Sequence, residues 1–201
     1  MKKIALVLTL VFAGLFANAQ HFTWRLTYDV NVPTGEFKTD FISKWSWRGI
    51  GLDNRWVLND KISVGFNFAW HTFYQRKDNI LATSESGNFS AFGTQFRYLN
   101  TLIMQPNVHY YLGDHGRINP WVGLGIGTAY SNQTAELGFY RVTYNVWSFS
   151  LSPQVGVDIP LNMDTDFTIG GRYNLLLNSE NQGPINFAYF GINAGFKFSI
   201  F

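Results

Sequence analysis

The closing residues "FGINAGFKFSIF" read two by two. Phe190, Ile192, Ala194, Phe196, Phe198 and Ile200 fall on one side of an extended chain, with Gly191, Asn193, Gly195, Lys197 and Ser199 on the other. Successive side chains of a strand point to opposite faces, so this is a strand with one greasy face. Seven earlier segments alternate in the same way, and no stretch of helical period competes with them. Nearly every one keeps the alternation for ten or more residues. Strands of soluble sheets cluster at about 5–6 residues, whereas a tilted strand crossing a bilayer needs about 9–11.

The apolar faces carry Phe22, Trp24, Leu26 and Tyr28 in the first segment, Ile50, Leu52 and Trp56 in the second, and Ile62, Val64, Phe66, Phe68 and Trp70 in the third. Leu102, Met104 and Val108 follow in the fourth, Val122, Leu124 and Ile126 in the fifth, Phe149, Leu151 and Val155 in the sixth, and Phe167 and Ile169 in the seventh. Aromatic residues make up 18% and charged residues 14% of the chain, yet mean hydropathy is −0.04 because apolar and polar residues interleave. Beyond the N-terminus no apolar run is long enough for a spanning helix, which excludes a helical membrane protein.

The first residues, "MKKIALVLTLVFAGLFANAQ", have two lysines, an apolar stretch from Ile4 to Ala17 and the small-residue triplet Ala17, Asn18, Ala19. That is the pattern of a secretory signal peptide cleaved after Ala19, and the apolar stretch is shorter than the ~20 residues of a membrane anchor. The chain therefore divides into a signal peptide, 1–19, and one domain, 20–201. Cleavage removes Lys2 and Lys3, so the 15 basic residues fall to 13, level with the 13 acidic ones. No basic patch points to nucleic acid. With no cysteine in an exported chain, there is no disulfide framework and no lipid attachment through a thiol.

The links between segments alternate in kind. Short polar turns at 58–61, 113–117 and 162–166 contrast with longer links near 33–44, 78–93, 132–142 and 178–186. Short turns at one end and long loops at the other is the layout of an outer-membrane barrel. In lipid every backbone polar group must pair within the protein, so the strands have to close on themselves. The prediction is an all-β chain: an eight-stranded antiparallel up-and-down transmembrane β-barrel after a cleaved signal peptide.

With "NPWVGLGIGTAY", "VHYYLGD" and the leader ending "ANAQ", the mature chain resembles the small eight-stranded outer-membrane barrels grouped with OmpW, OmpX and the OmpA membrane domain, in the flavour of Bacteroidota. The resemblance implies that the terminal aromatic, Phe201, is read by the outer-membrane barrel assembly machinery, although it falls out of phase with Ile200. It also implies outer-membrane lipids as surroundings, a monomer and no cofactor.

The inward face is predicted to hold Arg25, Asp29, Asp53, Arg55, His71, Gln105, Asn107, His109, Gln154, Asp158, Arg172 and Asn174. Eight strands enclose a space that side chains just fill, and buried charges must pair, so these residues read as a hydrogen-bonded plug. Inward glycines, among them Gly49, Gly65, Gly123, Gly125 and Gly156, leave the alternative of a cavity or conduit for small hydrophobic molecules. His71 and His109 lack a third metal ligand at readable spacing, and His115 is expected to be solvated. Trp24, Trp56, Trp70, Trp121 and Trp147 read as interfacial girdle residues, while Trp45 and Trp47 face inward by phase. The His-x-Ser pair of lipid A deacylases, which share the scaffold, is absent; an acyltransferase would have to draw on Ser84, Glu85 or Ser86. The expected function is a non-enzymatic membrane anchor presenting four outer loops for surface interaction or envelope integrity, with 78–93 the longest and most polar of them.

Overall fold

The computed structural model describes residues 21–83, 90–114, 116–178 and 186–200. Residues 1–20, among them the expected signal peptide, and Ser84, Glu85, Ser86, His115 and Phe201 lie outside the described residues. Strands β1 (His21–Thr34), β2 (Gly49–Val57), β3 (Ile62–Thr83), β4 (Ser90–Tyr111), β5 (Asn119–Leu137), β6 (Tyr140–Pro160), β7 (Thr165–Asn178) and β8 (Phe187–Ile200) pair in chain order, each antiparallel to the next. β1 pairs with β8 from Phe22↔Ile200 to Thr34↔Ala188, which closes the barrel.

Burial alternates with the predicted phase. Thr23, Arg25, Thr27, Asp29 and Asn31 are buried inside, while Leu26 and Tyr28 are about half exposed outside. Trp70, Leu124, Trp147, Phe196 and Phe198 continue that outer belt around the wall. A continuous apolar belt of this extent is a surface solvated by hydrocarbon. Closure supplies the backbone pairing that hydrocarbon cannot.

Three departures from the sequence reading concern the end with the long links. The expected loops at 78–93 and 132–142 are largely strand. β3 and β4 stay paired out to Thr83↔Ser90, and β5 and β6 to Leu137↔Tyr140. The latter turn is only Gly138 and Phe139, with Gly138 at φ +59, a conformation glycine adopts without steric cost. Both faces meet water there, as the run of exposed residues from Tyr140 to Asn145 shows, so alternation fades although the ladder continues.

The link at 33–44 turns inward. A single π-helical turn, Phe37–Phe41, sets Phe37 edge-on to Phe73 at 5.0 Å and Phe187 at 5.3 Å. Phe37, Phe41 and Ile42 pack with Leu99, Ile103, Ala129, Leu176 and Tyr189 in an apolar stopper. The Arg97 guanidinium donates to the carbonyls of Asp40 and Phe41 at 2.7 and 2.8 Å and holds the turn down. Three apolar residues on so short a segment gain more by burial than by display.

Trp45 and Trp47 face outward, contrary to their phase, and both are more than half exposed. The β1–β2 register runs through Tyr28↔Ile50, but beyond it Asn31 pairs with Ser46 instead of Trp47, which leaves one extra residue on the β2 side. This irregularity inverts the phase of every side chain beyond it. Ser46 therefore points in, and its hydroxyl donates to the Thr72 carbonyl.

Candidate functional site

All twelve predicted lumen residues are buried. The structure gathers most of them around three carboxylates. Asp53 accepts from Arg25 Nη2 at 2.7 Å, Arg55 Nη2 at 3.1 Å and Asn107 Nδ2 at 3.0 Å, and His109 Nε2 lies 3.9 Å away. Asp158 accepts from Lys197 Nζ at 2.8 Å, Trp121 Nε1 at 2.9 Å and the Thr168 hydroxyl at 2.9 Å. Asp29 bonds His71 Nε2 at 2.9 Å and accepts from the Thr27 hydroxyl at 2.8 Å; His71 Nδ1 meets the Tyr189 hydroxyl at 2.8 Å. Buried carboxylates persist only with such partners.

Trp121 joins the first two centres. It is 2% exposed, so the sequence reading that put it in the interfacial girdle is corrected. The guanidiniums of Arg25 and Arg55 each lie 4.7 Å from its ring centroid, and His109 packs edge-on against it at 5.2 Å. The signal was present: Trp121 shares the inward phase of Gly123, Gly125 and Gly127. Lys197, which also bridges to Asp166 at 2.6 Å, shares the phase of Gly195 and Ser199. Tyr111, which accepts from Arg55 at 2.9 Å, and Tyr189 were likewise not singled out.

The remaining predicted residues form a looser middle tier. Gln105 Nε2 donates to the Ser150 and Ser152 hydroxyls at 2.7 and 2.9 Å, and Ser152 donates to Asn174. Arg172 donates to Asn67 at 2.9 Å. Gln154 is buried beside them with no hydrogen-bond partner on either amide atom. Buried polar atoms of this kind are commonly served by internal water. Among the described residues no three His, Cys, Asp or Glu side chains converge as metal ligands would.

The inward glycines do not line an open passage. A Cβ at Gly156 would stand 2.4 Å from Trp121 Cζ2 and 2.8 Å from the Ile169 carbonyl, and one at Gly123 would stand 2.5 Å from the His109 ring. Those two make room for a neighbour's side chain, whereas Gly65 and Gly127 make room for the backbone carbonyls of Asn54 and Met104. Gly156→Ala is therefore expected to cost about 1–3 kcal/mol by overpacking, because the indole can retreat only by leaving the two arginines. Gly125→Ser should cost less: its Cβ meets the far end of Gln105, at 2.6 Å from Oε1, which can swing aside. Urea titration of the refolded barrel would measure both; equal stability of Gly156→Ala and the parent would show that the indole is not confined.

The lumen is thus a charge-paired filling in the half near the short turns, capped by the apolar stopper at the other end. At the short-turn mouth a basin of about 650 Å³ lies over Lys197, Tyr111 and Asp166.

No protein-family model matches this sequence and no curated protein matches it. Solved structures do. The outer membrane protein OprG from Pseudomonas aeruginosa superposes with a TM-score of 0.55 at 16% identity, over 91% of this chain and 97% of that one. The fold is that of the small outer-membrane β-barrels. Neisserial surface protein A is similar as well, with a TM-score of 0.54 at 12% identity over 89% of this chain and 95% of that one. So is the attachment invasion locus protein Ail of Yersinia pestis, crystallised with the heparin analogue sucrose octasulfate, with a TM-score of 0.50 at 14% identity over 89% and 97%. At these identities the likeness is one of architecture.

Proposed function

We propose that this chain is a non-enzymatic integral protein of the outer membrane, a closed anchor that displays the protruding part of β3–β6 for contact with a partner outside the cell. One observation carries the reading. Above the belt the β3–β6 sheet has two edges, and they are treated differently. The β3 edge carries Arg76, Lys77 and Asp78, and a register shift between Lys77 and Ile80 with Asn79 at φ +58. Charges and bulges are how edge strands avoid pairing with other chains. The β6 edge has no such register shift and a single charge. Among the described residues β6 first meets β7 at Ser148↔Asn178, so Tyr140–Trp147 is paired on one side only. That stretch, "YRVTYNVW", is rich in β-formers, and its one charge, Arg141, is neutralised by Glu136 at 2.5 Å. Phe201 belongs to this reading as the assembly signal, and the protein as a monomer.

The chain has no cysteine, so a single introduced thiol reports its own side of the membrane. On intact cells Phe139→Cys, at the β5–β6 tip, should react with an impermeant maleimide, and Met163→Cys, in the β6–β7 turn, should react only after lysis. Both side chains are almost fully exposed, so the reverse pattern would overturn the orientation. Placing lysine at Val142 and Tyr144 should then weaken cell attachment while the folded barrel keeps its faster unboiled migration on gels. Unchanged attachment would remove the role given to β6.

A further inference from the structure

The edge of β6 above the belt is rich in apolar side chains that meet water. Tyr140, Val142, Tyr144 and Trp147 are about half exposed, and Phe139 at the tip is fully exposed. Apolar residues gathered along an exposed strand edge mark a contact surface. The turn above them is two residues long, Gly138 and Phe139, so the flanking pair Leu137↔Tyr140 exchanges main-chain hydrogen bonds, as does every second pair below it. Tyr140, Val142 and Tyr144 therefore direct their main-chain groups to β5. Arg141, Thr143 and Asn145 direct theirs to the open side.

A second β6 laid antiparallel on this edge has few registers open to it. The inner faces of the two sheets match only if even-numbered residues oppose even-numbered ones, since Tyr140, Val142 and Tyr144 share the phase of the buried Val146. The open side ends at Ser148, where β6 joins β7, so a register that sets Tyr140 beside Ser148 of the copy runs into that strand. The longest register meeting both conditions places Thr143 opposite Thr143 of the copy. Its pairs are complementary. Val142 meets Tyr144 twice, Tyr140 meets Val146, Arg141 meets Asn145, and Phe139 at the tip comes beside Trp147. Aromatic with β-branched, and threonine with threonine, are pairings that stabilise neighbouring strands. A register centred on Arg141 would instead oppose two like charges.

We infer that the partner of the β6 edge is a second copy of this chain, joined to the first in one continuous antiparallel sheet about a two-fold axis at Thr143. Such an axis is perpendicular to the sheet and makes the contact isologous, the same edge on both copies. It also reverses the strand direction, so the two barrels point opposite ways and lie in facing membranes. Each chain stays a monomer in its own membrane, and the contact joins neighbouring cells. Arg141 keeps its Glu136 partner at 2.5 Å, so the pairing leaves no charge stranded. The inference rests on β6 being the contact edge named under Proposed function.

The test is disulfide trapping of the refolded full chain in detergent micelles, where two copies meet with no other partner present and whatever the membrane orientation. The chain has no cysteine of its own, and folding of each variant is scored first by faster migration without boiling. Across a hydrogen-bonded antiparallel pair the Cα atoms stand about 5.5 Å apart, within disulfide reach. Thr143→Cys is expected to form a covalent dimer about tenfold faster than Arg141→Cys, whose two thiols would lie four residues out of register, roughly 14 Å apart. Arg141→Cys mixed with Asn145→Cys should dimerise as Thr143→Cys does, and the mixture serves as the test if Thr143→Cys fails to fold. Adding Val142→Lys and Tyr144→Lys to Thr143→Cys should abolish the dimer. Equal rates for Thr143→Cys and Arg141→Cys, or no dimer from folded Thr143→Cys or from the mixture, would overturn the proposal. If the lysine variant lost cell attachment while no such dimer formed, the second copy would be ruled out and β6 would stand as the edge for a different partner. Unchanged attachment would instead remove the β6 reading itself.

Discussion

Asp53→Ala should lower the stability of the refolded barrel by about 3–5 kcal/mol, the usual cost of breaking a buried ion pair by removing one partner. The Asp53 carboxylate holds Arg25 and Arg55 at 2.7 and 3.1 Å, and both arginines are essentially without solvent exposure. Without it two buried guanidiniums stand beside the Trp121 ring with Asp158 as their remaining acidic neighbour, and Asn107 loses an acceptor. Asp53→Asn keeps the shape and one acceptor oxygen, so its cost should fall between the parent and the alanine variant. The check is a urea titration in lipid vesicles, read as loss of the fast-migrating folded band. A parental midpoint for Asp53→Ala would mean that Arg25 and Arg55 are hydrated, and the lumen would then be a water-filled passage.

Leu124→Arg should cost about 2–4 kcal/mol, the penalty for a cation at the bilayer midplane of a barrel wall. Leu124 sits outward on β5 between Val108 and Pro153, with Val122 and Ile126 above and below it on the same face. The same titration measures it, and Ser150→Arg is not an equivalent control because Ser150 points into the packed lumen. A useful comparison is Thr143→Arg, on the protruding sheet, which should be nearly neutral since both faces of β6 meet water there. If Leu124→Arg refolded with parental stability, the outer belt would not be in hydrocarbon, and the closed barrel would belong to a soluble protein.

The face of nearly every strand residue was legible in the sequence. Period two is a property of the pleated backbone itself, and a chain with lipid on one side and packed polar groups on the other must write it into each strand. That is why the twelve lumen residues could be named from phase alone, and why Trp121 and Lys197 carried the right phase even though one was read as girdle and the other passed over.

Partnership was not legible. Asp53 lies 28 residues from Arg25 and 54 from Asn107, and nothing in local alternation says which inward groups meet. The ends of β3, β5 and β6 were hidden for a related reason: above the membrane both faces are wet, so the ladder continues without an alternating pattern to reveal it. Trp45 and Trp47 show the limit most clearly. Their phase predicted an inward direction, and a one-residue shift in register between β1 and β2, a relation between two strands, turned them out. The inward fold of Phe37, Phe41 and Ile42 likewise depends on apolar partners drawn from β3, β4, β5, β7 and β8. The chain alone determined which side of each strand is apolar, because that follows from covalent geometry and solvent. Register, charge pairing and the stopper were decided only in the closed barrel, because each is a contact between residues far apart in sequence.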